Sequence, residues 1–322
     1  MNATEDPRAS FAATLVDLAA TDARVCMVVN DSISSSSAAG FLARFPDRLF
    51  DAGIAEQNMV GVAAGLANAG MIPFVCAASC FLTGRALEQI KVDIALSDAN
   101  VKLCGNSAGF AYGSLGPTHH AIEDIAWMRV LPGLRIAAPS DATETAQAVR
   151  AAHEHVGPVF IRLNRIPVPS LQPHTQPFEF GKATELRQGE DVTLFSMGFA
   201  AHGALEAASL LAREGIEARV LNMSSLAPLD VKAISRACRE TRRLVCVEDH
   251  QREGGLFSAV ASVVVRGTPV PMLSISVPGV FAPVGSTEDL HALFGLQPEA
   301  IATRVAAWLR GLSRPGEAIL HG

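Results

Sequence analysis

The sequence is short of charge: only 18% of its 322 residues are Asp, Glu, Lys or Arg, against 49% hydrophobic residues. The balance is acidic, with a formal net charge of -6, so there is no basic footprint for nucleic acid. Long apolar runs are also missing, since no stretch approaches the roughly eighteen uninterrupted apolar residues of a membrane span. Six cysteines occur, at 26, 76, 80, 104, 238 and 246, and none forms a CxxC pair. They read as reduced core residues of a cytoplasmic protein. The opening residues MNATEDPRAS lack the basic-then-apolar order of a signal peptide. No period of about 20 to 50 residues recurs, which excludes a repeat architecture. The surplus of apolar and small residues over charge is expected to feed a large subunit interface.

Hydrophobic periodicity organises what is present. Asp6-Pro7 opens a helix in which Phe11, Leu15 and Leu18 recur at helical spacing. Residues 25–29 are a continuous apolar run, the pattern of a strand buried on both faces. Further strands are predicted at 72–77, 101–104, 135–138 and 158–163, with helices over 56–68, 83–96, 122–131 and from Asp141 to 155. Strands alternating with helices of this length predict a parallel sheet covered on both faces. Prolines at 167, 169, 173 and 177 then mark a linker. Beyond it, strands at 192–196, 218–221, 244–247 and 272–277 alternate with helices over 202–213, after Pro228 and after Gly254-Gly255, and two terminal helices follow. The fold class is α/β, with two three-layer α/β/α domains at 1–165 and 183–322 and a linker over 166–182.

Several stretches carry chemistry. In residues 51–59, DAGIAEQNM, an apolar strand ends in a glycine turn and a helix starts with Glu56 in its first turn. That helix holds Gly61 and Gly65, each costing about 1 kcal/mol relative to alanine, so a close-packed neighbour is expected against it. A first-turn carboxylate is either a helix-dipole partner or a reactive group held in a dry, crowded place. The serine tract 32–37 is either a flexible loop or a polar loop at the carboxyl end of a strand, where open α/β sheets place ligands. A glycine-rich loop over 105–120 ends in Gly-Pro-Thr-His-His. Its adjacent histidines cannot both face one pocket from an extended segment, and no Cys, Asp or further His lies at metal-ligand spacing.

The runs GIAEQNMVGVAAGLANAG, PFVCAASCFLTGRALEQIKVDIA and GPTHHAIEDIAWMRVLPGLRI, in that order, resemble the pyrimidine-binding domain of the transketolase family of thiamine-diphosphate enzymes. The second half resembles the C-terminal domain of that family through DVTLFSMGFAAHGALEAASLLAREGIEARVLNMSSLAPLD, VEDHQREGGLFSAVA and GSTEDLHALFGL. Complete transketolases also hold the diphosphate through Mg²⁺ with a Gly-Asp-Gly motif, which is absent here, and this chain begins at the first helix of the pyrimidine domain. The resemblance therefore implies the C-terminal, or beta, subunit of a split transketolase. It further implies Mg²⁺ held mainly by an N-terminal (alpha) partner, homodimerisation through the pyrimidine domain and an alpha2beta2 assembly.

The resemblance also assigns roles. Glu56 aligns with the glutamate that bonds the aminopyrimidine and drives its tautomer shift, and burial among Ala and Gly is expected to raise its pKa. Phe81, expected between a strand and a helix start at Thr83, aligns with an aromatic stacked on the pyrimidine, and Arg85 is placed with it at the cofactor. His119 aligns with a substrate-contacting histidine able to shuttle protons, since imidazole titrates near neutral pH. Arg165 aligns with a sugar-phosphate clamp. Leu115 departs from the family, standing where an aspartate hydrogen-bonds a substrate hydroxyl, so an unusual sugar is expected. The expected reaction is transfer of a two-carbon ketol unit from a ketose phosphate to an aldose. The alternatives are a deoxyxylulose-phosphate-synthase-like enzyme, a 2-oxo acid dehydrogenase beta subunit, or a non-catalytic regulatory or assembly subunit.

Overall fold

The computed structural model describes residues 4–171 and 177–312; residues 172–176 of the predicted linker, Pro173 among them, lie outside the described residues. In the first half the strands are β1 (Thr4–Glu5), β2 (Val25–Val29), β3 (Leu49–Asp51), β4 (Ile72–Ala78), β5 (Lys102–Asn106), β6 (Arg135–Ala137), β7 (Val159–Leu163) and β8 (Val168–Pro169). The second half adds β9 (Thr184–Arg187), β10 (Val192–Ser196), β11 (Ala218–Asn222), β12 (Ser225–Ala227), β13 (Leu244–Gln251) and β14 (Met272–Val277). The larger sheet runs β12-β6-β7-β5-β4-β2-β3, and the smaller runs β14-β13-β10-β11-β9. Pairings among β2 to β7 are parallel, as are those among β10, β11, β13 and β14.

Burial explains why the central strands read as unbroken apolar runs. Val25, Met27 and Val29 pack into one core with Phe11, Leu15 and Phe41, while Val28 faces the opposite core with Met59 and Val75. Each side of the sheet is covered by helices, so no position along β2 meets water. At about 1.5–3 kcal/mol for each fully buried Val or Leu side chain, a polar alternation would only weaken it. The first helix, Pro7–Thr21, starts as its sequence predicts: Asp6 Oδ1 accepts the Arg8 amide at 2.9 Å and Pro7 fills the first turn.

The two edge strands β9 and β12 are antiparallel, and neither was legible as an apolar run. β12 leaves the second half of the chain to pair with β6 of the larger sheet, Ser225 opposite Ala137. The core beneath the larger sheet continues into the second half through Phe195, Met197, Leu221, Leu244 and Leu256. The linker is also partly built, because β8 pairs with β1 and both Val168 and Leu171 are buried. Among the described residues, no helix is long and apolar enough to cross a membrane.

One predicted helix start is corrected. The helix expected from 83 begins four residues earlier, as Ser79–Arg85, so Phe81 sits within its first turn. Buried Ser79 donates its hydroxyl to Asp124 Oδ2 at 2.7 Å, and Thr83 Oγ1 closes on the Ser79 carbonyl at 2.6 Å. The tertiary bond to Asp124, with the local Thr83 bond, holds the extra turn, which no apolar period marks. The continuation, Leu87–Gln89, widens into a π-helical turn over Ile90–Ala95 that buries Ile90 and Ile94.

Candidate active site

The chain leaves β2 on one side for β3 and returns on its other side for β4, so β2 and β4 flank a topological switch point. Crevices at the carboxyl ends of such strands are where open α/β sheets bind ligands. Asn30 follows β2, Glu56 opens the helix after β3, Phe81 and Arg85 lie on the helix after β4, His119 lies in the loop after β5, and Arg165 follows β7. The fold thus delivers the five residues singled out from sequence to one end of one sheet. The serine tract also ends there as a folded turn: Ser32 donates to the Cys76 carbonyl at 3.3 Å, and Ser36 Oγ accepts from Asn106 Nδ2 at 3.1 Å.

Glu56 is presented by a tight turn. Asp51 Oδ1 accepts the amides of Asp31 and Gly53, and Gly53 has φ +69°, a conformation that favours glycine. The Glu56 side chain is 2% exposed. Its Oε1 accepts from Asn30 Nδ2 at 2.8 Å and its Oε2 from Arg85 Nη1 at 2.9 Å. The expected upward pKa shift is not found. Burial does push this carboxyl up, but the Arg85 bond, backbone and Asn30 hydrogen bonds and the Arg85 charge together bring it below the ordinary value. Sequence reasoning missed Asn30, whose Oδ1 is buried beside Glu56 without a partner among the described residues. Its only signal was a polar residue ending an apolar strand.

From Glu56 the cluster runs outward through ring contacts. The Arg85 guanidinium lies 4.2 Å from the Phe81 ring centroid, and Phe81 meets His119 edge-on at 5.0 Å. His119 shares a 2.9 Å hydrogen bond through Nδ1 with Thr118 Oγ1 and lies 6.1 Å from Tyr112, over which Arg165 sits at 4.7 Å. Arg165 has no carboxylate partner among the described residues. His120 points elsewhere: it is buried, with Nε2 3.2 Å from the Gly113 carbonyl and its ring edge-on to Phe110. Leu115 is 51% exposed in the Gly113–Leu115 turn that precedes His119. Gly61 and Gly65 have nothing within 4 Å of where a Cβ would stand, so that helix face is open in the single chain.

A second charged cluster, invisible as a motif, supports the first. Arg162 on β7 bonds Asp124 through Nε at 3.0 and 3.1 Å and Asp249 on β13 through Nη1 at 2.9 Å. Asp124 also holds Ser79, the first residue of the helix that carries Phe81 and Arg85. Gly109 admits this arrangement, because a Cβ there would overlap the Asp249 carboxylate. Below it, Glu248 accepts the Leu256 and Phe257 amides at 2.6 and 2.9 Å, at the start of the Leu256–Val264 helix. The second half of the chain is therefore wired to the helix beside Glu56 through buried ion pairs.

Residues 5–170 match the family model for the transketolase pyrimidine binding domain, and residues 181–301 match that for the transketolase C-terminal domain. The chain is 41% identical over 296 residues to a subunit of the apulose-4-phosphate transketolase of Phocaeicola vulgatus, covering 91% of this chain and 94% of that one. It is 36% identical over 294 residues to a 6-deoxy-6-sulfo-D-fructose transketolase subunit of Clostridium sp., covering 91% of each. Among solved structures, a split-gene transketolase described as an inactive beta4 tetramer shares 37% identity at a TM-score of 0.86, over 96% of this chain and 99% of that one. Both sheets and the loops at their carboxyl ends are thus accounted for by a single lineage, and the chain belongs to the transketolase family of thiamine-diphosphate-dependent transferases.

Proposed function

We propose that this chain is the C-terminal (beta) subunit of a split transketolase that moves a two-carbon ketol unit from a ketose phosphate to an aldose. The observation that carries the reading is the continuous cluster from Asn30 and Glu56 through Arg85 and Phe81 to His119 and Arg165. An aminopyrimidine calls for a carboxyl group at its ring nitrogen, an acceptor for its amine and an aromatic face. Buried Glu56, the unpartnered Asn30 Oδ1 and half-buried Phe81 are such a set, so the residues present fit the group. Thiamine diphosphate, when bound, supplies the nucleophilic carbon that carries the transferred unit.

In this reading Glu56 holds the pyrimidine and shares a proton with it, while Arg85 yields its place. Arg85 lies over the Phe81 face and on Glu56, but at 51% exposure its guanidinium can move to solvent at little cost. His119 moves protons at the substrate oxygens, and Arg165, without a carboxylate partner among the described residues, holds the remote phosphate in a forked geometry. An alpha partner supplies Mg²⁺ and the diphosphate grip, and the open Gly61/Gly65 face takes a second copy in an alpha2beta2 assembly. Leu115 offers no hydrogen bond, which suits a sugar substituted differently from the usual pentose phosphates. The relatives named for apulose 4-phosphate and a sulfofructose agree with that direction.

The test is reconstitution with a partner chain bearing the Gly-Asp-Gly motif, followed by a screen of donor ketoses against aldoses. Glu56→Gln is expected to lower kcat by roughly 10²–10⁴-fold with the fold intact. Wild-type turnover by that variant at saturating cofactor would sink the proposal.

A further inference from the structure

Phe81 and Arg85, two of the residues gathered at the candidate site, ride on the helix Ser79–Arg85, which is seven residues long. Isolated helices shorter than about 12–15 residues are marginal in water, so the direction of this one is set by what holds it. The helix Asp124–Arg129 holds it at both ends. At the start, fully buried Ser79 donates its hydroxyl to Asp124 Oδ2 at 2.7 Å. Glycine at 105 leaves room for that hydroxyl, since a Cβ there would stand 2.5 Å from Ser79 Oγ and 2.8 Å from the Phe160 ring. At the far end a Cβ on Gly84 would stand 3.1 Å from the Trp127 ring, so the indole lies directly on the backbone beside Arg85.

The holding helix is itself clamped by the second half of the chain. Arg129 Nη1 donates to the Gly254 and Gly255 carbonyls at 2.5 and 3.0 Å, and a Cβ on Gly254 would overlap that of Ala126. Asp124 takes Arg162 Nε on both oxygens, and Arg162 is tied to Asp249. The bond from Ser79 therefore ends on a carboxylate that is fixed from the other side. A buried hydroxyl on such an acceptor has no water to turn to when the bond is broken. Glu56 opens a different helix, so the tie at Ser79 acts on the Phe81 ring and the Arg85 head and leaves the helix of the acid alone.

We propose that Ser79 is a positioning residue for the candidate site: its bond to Asp124 sets the angle at which Phe81 and Arg85 face a ligand on Glu56. This rests on the reading of the crevice as a thiamine-diphosphate site, and it gives the second half of the chain a part there, as the anchor of Asp124. Losing the bond costs cofactor affinity alone, because the Phe81 ring supports the bound cofactor equally before and during the reaction.

Cys80, beside Ser79, is half-buried while the other five cysteines are buried, so it reports on this turn without catalysis. Ser79→Ala removes the donor, and Asp249→Asn weakens the same junction while keeping Ser79, Asp124 and their bond. In the full chain, Ser79→Ala is expected to speed N-ethylmaleimide labelling of Cys80, read by peptide mass spectrometry, by about tenfold with the buried five unchanged. Asp249→Asn is expected to leave that rate within about twofold of wild type. With the partner chain, Ser79→Ala is expected to raise the KM for thiamine diphosphate about tenfold and to keep kcat at saturating cofactor within about twofold, while Asp249→Asn moves neither. An unchanged Cys80 rate overturns the proposal, and so does a freed Cys80 with an unchanged KM or the same response from both variants. Faster labelling of all six cysteines together would mean a loosened fold and overturn it as well. A wild-type pair that turns over without thiamine diphosphate would end the cofactor reading instead, and the Cys80 rates would still decide whether Ser79 sets the helix.

Discussion

Arg85 and Arg162 each bind a buried carboxylate, yet the first side chain is 51% exposed and the second only 2%. Arg162 spends its donors on two aspartates and two backbone carbonyls, those of Ala121 and Asp249. Arg85 makes one bond to Glu56 and rests on Phe81, and beside it Asn30 keeps an unused buried oxygen. A saturated buried pair fixes geometry because removing either partner strands a charge. A pair open to solvent on one side can exchange partners cheaply. The molecule uses the first arrangement to lock its halves together and the second at the crevice proposed to receive the cofactor.

The contrast can be broken from its rigid end first. Arg162→Met leaves Asp124 and Asp249 buried without their cation and is expected to cost about 3–5 kcal/mol in urea unfolding. A loss under about 1 kcal/mol would show that the junction is not what holds the halves.

Glu248 offers a pH-dependent view of the same junction. Burial pushes its carboxyl up to about 8, against the two helix amides that favour the ionised form. Between its ordinary value of 4.5 and about 8, the folded chain keeps a proton that the unfolded chain has released, so this group makes stability fall as pH rises. Glu248→Gln is expected to match wild type near pH 5 and to remove that part of the decline up to pH 8. Melting temperatures across the range decide it, and an unchanged slope would assign the decline to other groups. His250 alongside, pushed down to about 4 by burial, stays neutral throughout the window.

At the open end the effects are smaller. Leu115→Asp restores a hydrogen-bonding side chain at an exposed turn and is expected to shift the donor preference of the reconstituted enzyme by about 1–3 kcal/mol, read as ratios of kcat/KM. Identical ratios would remove Leu115 from substrate choice. Smallest of all, Arg85→Gln is expected to change unfolding free energy by less than about 1 kcal/mol, because its head is in water. A loss comparable to that of Arg162→Met would erase the distinction between the two clusters.

Much of this was legible in the residues. Unbroken apolar runs such as 25–29 announce strands covered on both faces, and Asp6-Pro7 and Asp141 announce helix starts that the side chains then cap. The candidate residues Glu56, Phe81, Arg85, His119 and Arg165 stand out through ordered motifs, and each falls at a strand's carboxyl end because parallel α/β units always turn there. What stayed hidden depends on partners distant in sequence. Asp124, Arg162 and Asp249 are ordinary polar residues until three elements meet, and Ser79 starts a helix only because Asp124 receives its hydroxyl. β12 could not be foreseen, since a short edge strand has no pattern until β6 is there to pair with it.

Glu56 marks the division between the two kinds of information. Its position, after a glycine turn and at the first turn of a helix, follows from local chemistry that the residues spell out unaided. Its protonation does not, because burial alone argues for a raised pKa while Arg85 and Asn30, brought in from neighbouring strands, reverse the sign. The order of residues along the chain is enough for the layers, the family and most of the side chains gathered at the switch point, Asn30 being the one it hid. Which charges are sealed and which are left open is settled by packing, because that depends on how far water reaches once the elements have met.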